Sequence, residues 1–300
     1  MKKIPKHKFE KLKEENKRLK QSLKNPDISK LKNKQILSEI NNRGYFTVKK
    51  KLPQDVLYKI SAPTHTFKVG VVSDPHVGSI YQQLTHLTHF YGECKKEGVK
   101  DVFLAGDMVE GNGRLYRGQQ FEMFINGASN QVRYAVENYP KIKGITTRVV
   151  AGNHDFSFYK ESGYDVVSEI CDKRDDLEYL GVFGAYITIG KIRFYLMHGS
   201  SGNAYARSYK MQKIIEQFAP DNKPNILLLG HFHTSCYLPM YRNVDGFQLH
   251  CFQSQTPYLK AKGLYPEIGG LILTITENSK GIYKIIPDYH KYYIPIIKDY

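Results

Sequence analysis

Five short segments of the sequence place metal-binding side chains directly after a run of apolar residues. The segments are Ser73-Asp74-Pro75-His76, Gly106-Asp107, Gly152-Asn153-His154-Asp155, His198-Gly199 and Gly230-His231-Phe232-His233. Together they offer carboxylate oxygens, an amide oxygen and several imidazoles, a mixture that suits Mn²⁺, Fe²⁺ or Zn²⁺ better than Ca²⁺, which prefers oxygen alone. No cysteine lies in these segments. They predict a metal site built without thiolates.

The apolar runs before these segments predict the elements that position them. The runs are FKVGVV, DVFLA, TTRVVA, KIRFYLM and NILLL, short and continuous as in strands that are buried on both faces. Helices are predicted between them over residues 80–97, 119–139 and 205–218, and a hairpin that turns at residues 278–281 closes the domain. The alternation of predicted strands and helices indicates an α/β fold. In open α/β sheets the carboxyl ends of the strands converge on one crevice, so all five segments are expected to meet there.

Glycine stands before or beside the candidate ligand in four of the five segments, at Gly106, Gly152, Gly199 and Gly230. A residue without a Cβ allows backbone and side chains to crowd together at a strand end. Pro75 follows Asp74 directly, and proline favours an extended backbone in the residue before it. We therefore expect Asp74 to be extended.

The amino-terminal part of the chain differs in composition from the rest. The chain of 300 residues has a formal charge of +15, and residues 1–36 hold thirteen Lys and Arg against four Asp and Glu, or +9. Such a segment is either a solubilising or oligomerisation helix or an arm that binds nucleic acid by releasing counterions. A helix that ends near Asn42 and two β-rich runs, YFTVKK and VLYKI, resemble the last helix and wing of a winged-helix module, or form a plain hairpin. Residues 1–64 are predicted to be a basic helical and β-ribbon appendage, and residues 65–300 the main domain.

Two broad classes of protein are disfavoured by the composition. No apolar run reaches the length of a membrane span, and no apolar segment follows the basic amino terminus as in a signal peptide. The four cysteines are far apart and form no C-x-x-C pair, which argues against a zinc knuckle or a disulfide framework. The expectation is a cytoplasmic protein with reduced thiols and no membrane contact.

The five motifs, in this order, resemble those of the calcineurin-like metallophosphoesterase superfamily over about residues 67–255. The resemblance implies a four-layer α/β/β/α sandwich and a site with two divalent metal ions, most simply Mn²⁺, with Fe²⁺, Zn²⁺ or Ni²⁺ as alternatives. It assigns Asp74, His76 and His233 to one ion and Asn153, His198 and His231 to the other, with Asp107 bridging both. It leaves His154 free to act on the scissile phosphate and gives Asp155 the task of orienting it.

The resemblance also implies the chemistry. A pair of divalent ions lowers the pKa of bound water toward 7, so hydroxide becomes available without a nucleophilic side chain, and the ions clamp the oxygens of an in-line displacement. Their positive charge exceeds that of the two aspartates and the hydroxide, so the site attracts an anion such as a phosphoester.

The choice of phosphoester substrate depends on features outside the five motifs. The form SDPHVGS resembles the first motif of the break-repair DNA nucleases, so DNA is the expected partner. Dimers are common in that branch, so a homodimer is a second expectation. Aromatic and basic residues alternate in GNGRLYRGQQF and NAYARSYKMQK, where base stacking and phosphate contacts are expected from Tyr116, Tyr205, Tyr209, Arg114, Arg117, Arg207 and Lys210. The alternatives are a phosphatase acting on phosphoprotein or small phosphomonoesters, and a nucleic-acid-binding accessory protein with a vestigial site.

Overall fold

Two six-stranded β-sheets form the centre of the structure, a computed structural model that describes residues 57–61, 65–278 and 281–300. Sheet I has the strand order β12-β11-β2-β3-β4-β5, and sheet II the order β1-β6-β7-β8-β10-β9. The strands are β1 (Leu57–Ile60), β2 (Thr66–Val72), β3 (Asp101–Leu104), β4 (Thr146–Ala151), β5 (Leu177–Val182), β6 (Gly184–Ile189), β7 (Ile192–Met197), β8 (Ile226–Leu229), β9 (Cys236–Tyr241), β10 (Val244–Gln248), β11 (Gly269–Asn278) and β12 (Gly281–Lys291). Strands β2 to β5 run parallel to one another, as do β7, β8 and β10.

Helices cover the outer faces of both sheets. The α-helices of the described residues are α1 (Leu84–Lys96), α2 (Ala128–Asn138), α3 (Asp155–Ser162), α4 (Val166–Lys173), α5 (Tyr209–Ile215) and α6 (Pro257–Ala261), of which α1 to α5 pack on the sheets. Side chains of α1 to α4 share a core with sheet I, whereas Met211 and Ile215 of α5 pack on sheet II.

A second apolar core lies between the two sheets. Strand β7 shows why, because its side chains alternate: Ile192, Phe194 and Leu196 enter the core between the sheets, and Tyr195 and Met197 pack toward α5. The order is therefore helices, sheet I, sheet II, helix. This confirms the four-layer α/β/β/α sandwich.

Two of the predicted helices differ from the structure. The stretch 119–139 is a short 3₁₀ helix over Gln119–Glu122 followed by α2, which begins at Ala128. Met123 forms a bridge with Ser79, and Gly127 has a φ of +87°, so the chain leaves helical geometry between the two. The predicted helix over 205–218 is shorter, at Tyr209–Ile215.

Strand β1 places part of the predicted appendage in the main domain. It pairs in parallel with β6, and Tyr58 and Ile60 pack against the core between the sheets. Because the strand completes sheet II, the predicted boundary after residue 64 is too late. The basic head, the helix that ends near Asn42 and the run YFTVKK lie outside the described residues.

The carboxyl-terminal segment after β12, residues 292–300, is rich in aromatic residues and packs on its own domain, over helix α1. The Asp299 carboxylate accepts hydrogen bonds from Thr85 N at 2.8 Å and from the Thr85 hydroxyl, where Gln83 provides no side-chain cap. Tyr300 stacks on Phe124, and Ile296 exchanges hydrogen bonds with the Gln83 side chain. Within the described residues, no helix has the length and apolar character needed to cross a bilayer.

Candidate dinuclear metal centre

The predicted ligands gather where five strands end, but these strands belong to two sheets rather than to one. Asp74, Asp107 and Asn153 follow β2, β3 and β4 of sheet I, and His198 and His231 follow β7 and β8 of sheet II. The site therefore sits at the shared edge of the sandwich. Pairing the two sheets lets each contribute its own polar strand ends to the site.

One group of ligand atoms comes from Asp74, His76 and His233. The two imidazole Nε2 atoms lie 3.2 Å apart. Asp74 Oδ1 lies 3.3 Å from the Nε2 of His233 and 3.9 Å from that of His76. All three residues are buried.

A second group surrounds the His198 Nε2 atom. Asn153 Oδ1 lies 3.0 Å from it, Asp107 Oδ2 3.1 Å and His231 Nδ1 3.3 Å. Asp107 Oδ2 also lies 3.9 Å from His76 Nε2 in the first group. Asp107 is thus placed between the two groups.

In four of these residues a second polar atom is already engaged, which fixes which atom faces the centre. His198 Nδ1 donates to Ala105 O at 2.7 Å, and His231 Nε2 donates to Ser201 O at 2.9 Å. The second oxygen of each aspartate accepts a backbone N–H, from His231 for Asp74 at 2.9 Å and from His154 for Asp107 at 2.8 Å. Each of these four residues consequently turns one lone-pair atom toward its group.

The distances fit the size of a transition-metal ion. Two ligands bound at about 2.1 Å and at right or tetrahedral angles are about 3.0–3.4 Å apart. Three contacts of His198 Nε2, at 3.0, 3.1 and 3.3 Å, and the 3.2 Å between His76 and His233 Nε2 lie in this interval. The described residues thus fit two ions, with ligands of nitrogen and oxygen only.

The electrostatics of the centre favour positive charge. Burial would raise the pKa of Asp107, but the imidazoles of His198, His154 and His76 together outweigh burial and hold this pKa well below its usual value. Burial would likewise lower the pKa of His198, yet the Asp107 carboxylate raises it to about 9. The field that holds a proton on His198 would equally hold a divalent cation.

The backbone of the site adopts a conformation that L-residues seldom take. Positive φ angles occur at five of the seven candidate ligands: Asp74 (+51°), His76 (+46°), Asp107 (+51°), His231 (+81°) and His233 (+56°). Such geometry costs on the order of 1 kcal/mol or more per residue and is concentrated at functional sites. The expectation that Pro75 keeps Asp74 extended is wrong, because Asp74 must turn back to reach the centre.

His154 borders the site, and it is not oriented by Asp155. The His154 Nδ1 donates to Glu110 O at 2.7 Å and lies 3.2 Å from Gln119 Nε2. The Asp155 carboxylate instead accepts hydrogen bonds from the backbone N–H groups of Met108, Val109 and Gly152, at 2.8 to 3.1 Å. The predicted role of Asp155 is therefore wrong: it ties the loop after β3 to the loop after β4.

Glu110 is a site residue that the motifs did not reveal. Its buried carboxylate lies 3.1 Å from His76 Nδ1 and accepts from Gln119 and Gln253, each at 3.0 Å. It holds the His76 ring while its backbone oxygen holds His154. The acidic residue three positions after Asp107 was the signal available in the sequence.

The residues predicted to contact nucleic acid differ in how far their side chains are already bound within the protein. Tyr116 is engaged internally, donating to Glu122 Oε2 at 2.6 Å and stacking on Tyr258. Arg114 and Arg207 form ion pairs with Glu161 and Glu267.

The other members of that set are more open. Tyr205, Tyr209 and Arg117 are exposed. Lys210 Nζ donates to the Ser201 hydroxyl at 2.7 Å, beside the site.

The close approach at Gly152 generates a prediction. A Cβ at this position would overlap Asp107 Oδ1 and the Asp107 backbone nitrogen, so Gly152→Ala must displace the residue between the two groups. Overpacking of this kind costs about 1–3 kcal/mol, and we expect Mn²⁺ binding to weaken about tenfold or more. Gly92→Ala in α1 is the matched control, because its Cβ meets nothing within 4 Å. Calorimetric titration with Mn²⁺ that gives equal affinities for both variants would contradict this reading.

Comparison with known proteins identifies the family to which the chain belongs. The sequence model of the calcineurin-like phosphoesterases matches residues 67–251, more than half of the chain. Similar solved structures include a predicted phosphoesterase from Streptococcus pneumoniae, with 14% identity, a TM-score of 0.37 and coverage of 76% of this chain and 98% of that one. Vps29 complexed with zinc from Entamoeba histolytica has 14% identity, a TM-score of 0.37 and coverage of 75% and 99%.

A third similar structure is GAP50, the anchor in the inner membrane complex of Plasmodium, with 10% identity, a TM-score of 0.47 and coverage of 77% and 86%. A search of the curated proteins found no match. With the family model spanning all five strand-end motifs, the chain belongs to the calcineurin-like phosphoesterase family.

Proposed function

We propose that the protein is a DNA nuclease, a phosphodiesterase that hydrolyses the DNA backbone with two bound divalent metal ions, most directly Mn²⁺. The observation that carries the proposal is the pair of ligand groups that meet at Asp107. Asp74, His76 and His233 would hold one ion, and Asn153, His198 and His231 the other, with Asp107 between them. Such ions supply hydroxide near neutral pH and neutralise charge on the phosphoryl oxygens.

His154 is the residue placed to move a proton. Its Nδ1 is committed to Glu110 O, which fixes the ring, and the side chain lines the pocket that also contains Asp107 and Asn153. An imidazole held in this way presents Nε2 to a bound phosphate, where it donates to the leaving oxygen or to a phosphoryl oxygen.

Nucleic acid as substrate is supported by the surroundings of the pocket. A second groove of about 280 Å³ adjoins it and shares Asn203, Phe232 and Leu264 with it. Its lining includes Tyr205, Tyr265, Arg207 and Lys210, a combination of rings and cations that suits a strand with bases and phosphates. The overall charge of +15 acts in the same direction by attracting a polyanion.

The proposal predicts a definite order of substrates. With Mn²⁺, the purified protein should cleave single-stranded or duplex DNA and bis-p-nitrophenyl phosphate faster than p-nitrophenyl phosphate, and EDTA should abolish cleavage because the ions are required. A preference for the monoester with DNA left intact would identify a phosphatase. DNA binding without hydrolysis of any of these compounds would identify an accessory protein.

Two variants test the assigned roles of Asp107 and His154 in this assay. Asp107→Asn should lose turnover together with Mn²⁺ binding, because it removes charge shared by both groups. His154→Ala should retain Mn²⁺ binding but lose about 10²-fold or more in rate, the usual contribution of a proton donor. Full activity of His154→Ala would remove that residue from the mechanism.

The basic amino-terminal segment predicts a salt-dependent contribution to DNA binding. Deletion of residues 1–51 removes twelve net positive charges, nine of them from residues 1–36, but leaves all of the described strands. DNA affinity should fall, and its dependence on salt should become shallower, while hydrolysis of bis-p-nitrophenyl phosphate is retained. Fluorescence anisotropy at several NaCl concentrations measures the slope. An unchanged slope would show that this segment is not an arm for DNA.

A further inference from the structure

The pocket beside the metal centre has two chemically different walls. Its volume is about 370 Å³, and one wall carries the candidate ligands His76, Asp107, Asn153, His231 and His233 together with His154. The other wall is apolar and is made by Leu115, Tyr116, Tyr258, Leu259 and Leu264. Hydrolysis of a phosphoester needs only the first wall, so the second must serve the organic part of the substrate or nothing at all.

The apolar wall is fixed by a buried carboxylate. The rings of Tyr116 and Tyr258 stack with centroids 4.1 Å apart and planes inclined by 24°. Glu122 is 4% exposed and accepts from the Tyr116 hydroxyl at 2.6 Å and from Tyr258 N at 3.2 Å, so it holds the ring of Tyr116 and the backbone of Tyr258. Burying a carboxylate is costly, and here its hydrogen bonds serve to keep two rings in register.

The same residue connects this wall to the metal centre. The Glu122 backbone oxygen accepts from Ile80 N at 2.9 Å and from the Ser79 hydroxyl at 3.2 Å. Ser79 N in turn donates to His76 O at 3.0 Å. The ring pair is thus held at a set position relative to a candidate metal ligand, as a substrate subsite requires.

The wall leaves apolar surface open to the pocket. Tyr258 is 38% exposed and Leu115 37% exposed, although both lie in ordered segments fixed by hydrogen bonds. Flat aromatic and aliphatic surfaces of this kind bind planar apolar groups, and stacking of a base on an aromatic side chain is tolerant of base identity.

We propose that this wall is a nucleobase subsite, which holds the base of the nucleotide whose phosphate lies at the metal centre. The inference rests on the nuclease function proposed above and names the group that the site selects. A base is favoured over the ring of a phosphotyrosine because the pocket continues into the groove lined by Tyr205, Tyr265, Arg207 and Lys210, where the next nucleotides of a strand would lie. The aliphatic ester of phosphoserine offers nothing to stack.

Binding can be measured without turnover. Isothermal titration calorimetry on the full-length, Mn²⁺-loaded protein would compare four ligands with a common phosphate: dAMP, deoxyribose 5-phosphate, phenyl phosphate and inorganic phosphate. We expect dAMP to bind about tenfold or more tightly than each of the others, which is a difference of about 1.4 kcal/mol. Equal dissociation constants for dAMP and deoxyribose 5-phosphate, or for dAMP and phenyl phosphate, would overturn the proposal.

Variants assign the effect to the wall. Tyr258→Ala should remove most of the preference for dAMP and leave the affinity for inorganic phosphate unchanged, whereas Tyr258→Phe should keep the preference because it keeps the ring. Phe121→Ala is the matched control, since Phe121 lies in the neighbouring 3₁₀ helix, is exposed and does not line the pocket. Equal weakening of dAMP and inorganic phosphate by Tyr258→Ala would mean that Tyr258 only supports the metal centre, and would contradict the subsite.

The same experiment distinguishes failure of the nucleobase subsite from failure of the proposed nuclease function. Phosphate released from dAMP is assayed at the end of each titration, so phosphomonoesterase activity would appear there and would count against the nuclease alone. Selective binding of dAMP without cleavage of any diester would likewise leave the subsite in place and remove the nuclease.

Discussion

The burial of two carboxylates among several imidazoles is the constraint on which the rest of this structure depends. Asp74 and Asp107 are at most 1% exposed and lie within 4 Å of the imidazoles of His76, His198 and His233. Charges removed from water are stable only when they are paired and hydrogen-bonded. The arrangement is well adapted to cations, because each aspartate is anchored through one oxygen and turns the other toward the histidine nitrogens.

The fold holds this arrangement at some cost to local stability. Five candidate ligands have left-handed backbone geometry, and Gly106, Gly152 and Gly230 sit where a Cβ would overlap His198, Asp107 and Ser73. Two continuous apolar cores, on either side of sheet I, provide the stability that offsets such strain. Rigid strand ends then keep the ligand atoms in place before any substrate arrives, as preorganised catalysis requires.

Much of this could be predicted from the sequence, because each ligand follows a buried strand and the order of the motifs is specific. The failures have physical causes. Sequence patterns do not reveal that two sheets share the site, since parallel runs look alike in either sheet. The partners of Asp155 are backbone N–H groups, and Glu110 acts through His76, so neither role is encoded in a local motif. The left-handed turn at Asp74 runs against the preference of a residue before proline and is imposed by tertiary structure.

The central claim is that two ions bind on either side of Asp107. Anomalous diffraction from crystals soaked in Mn²⁺ tests it directly. Two peaks about 3.5–4 Å apart are expected, one contacted by Asp74, His76 and His233 and the other by Asn153, His198 and His231, with Asp107 touching both. A single peak, or peaks away from these side chains while their nitrogen and oxygen atoms keep their present hydrogen bonds, would contradict the account.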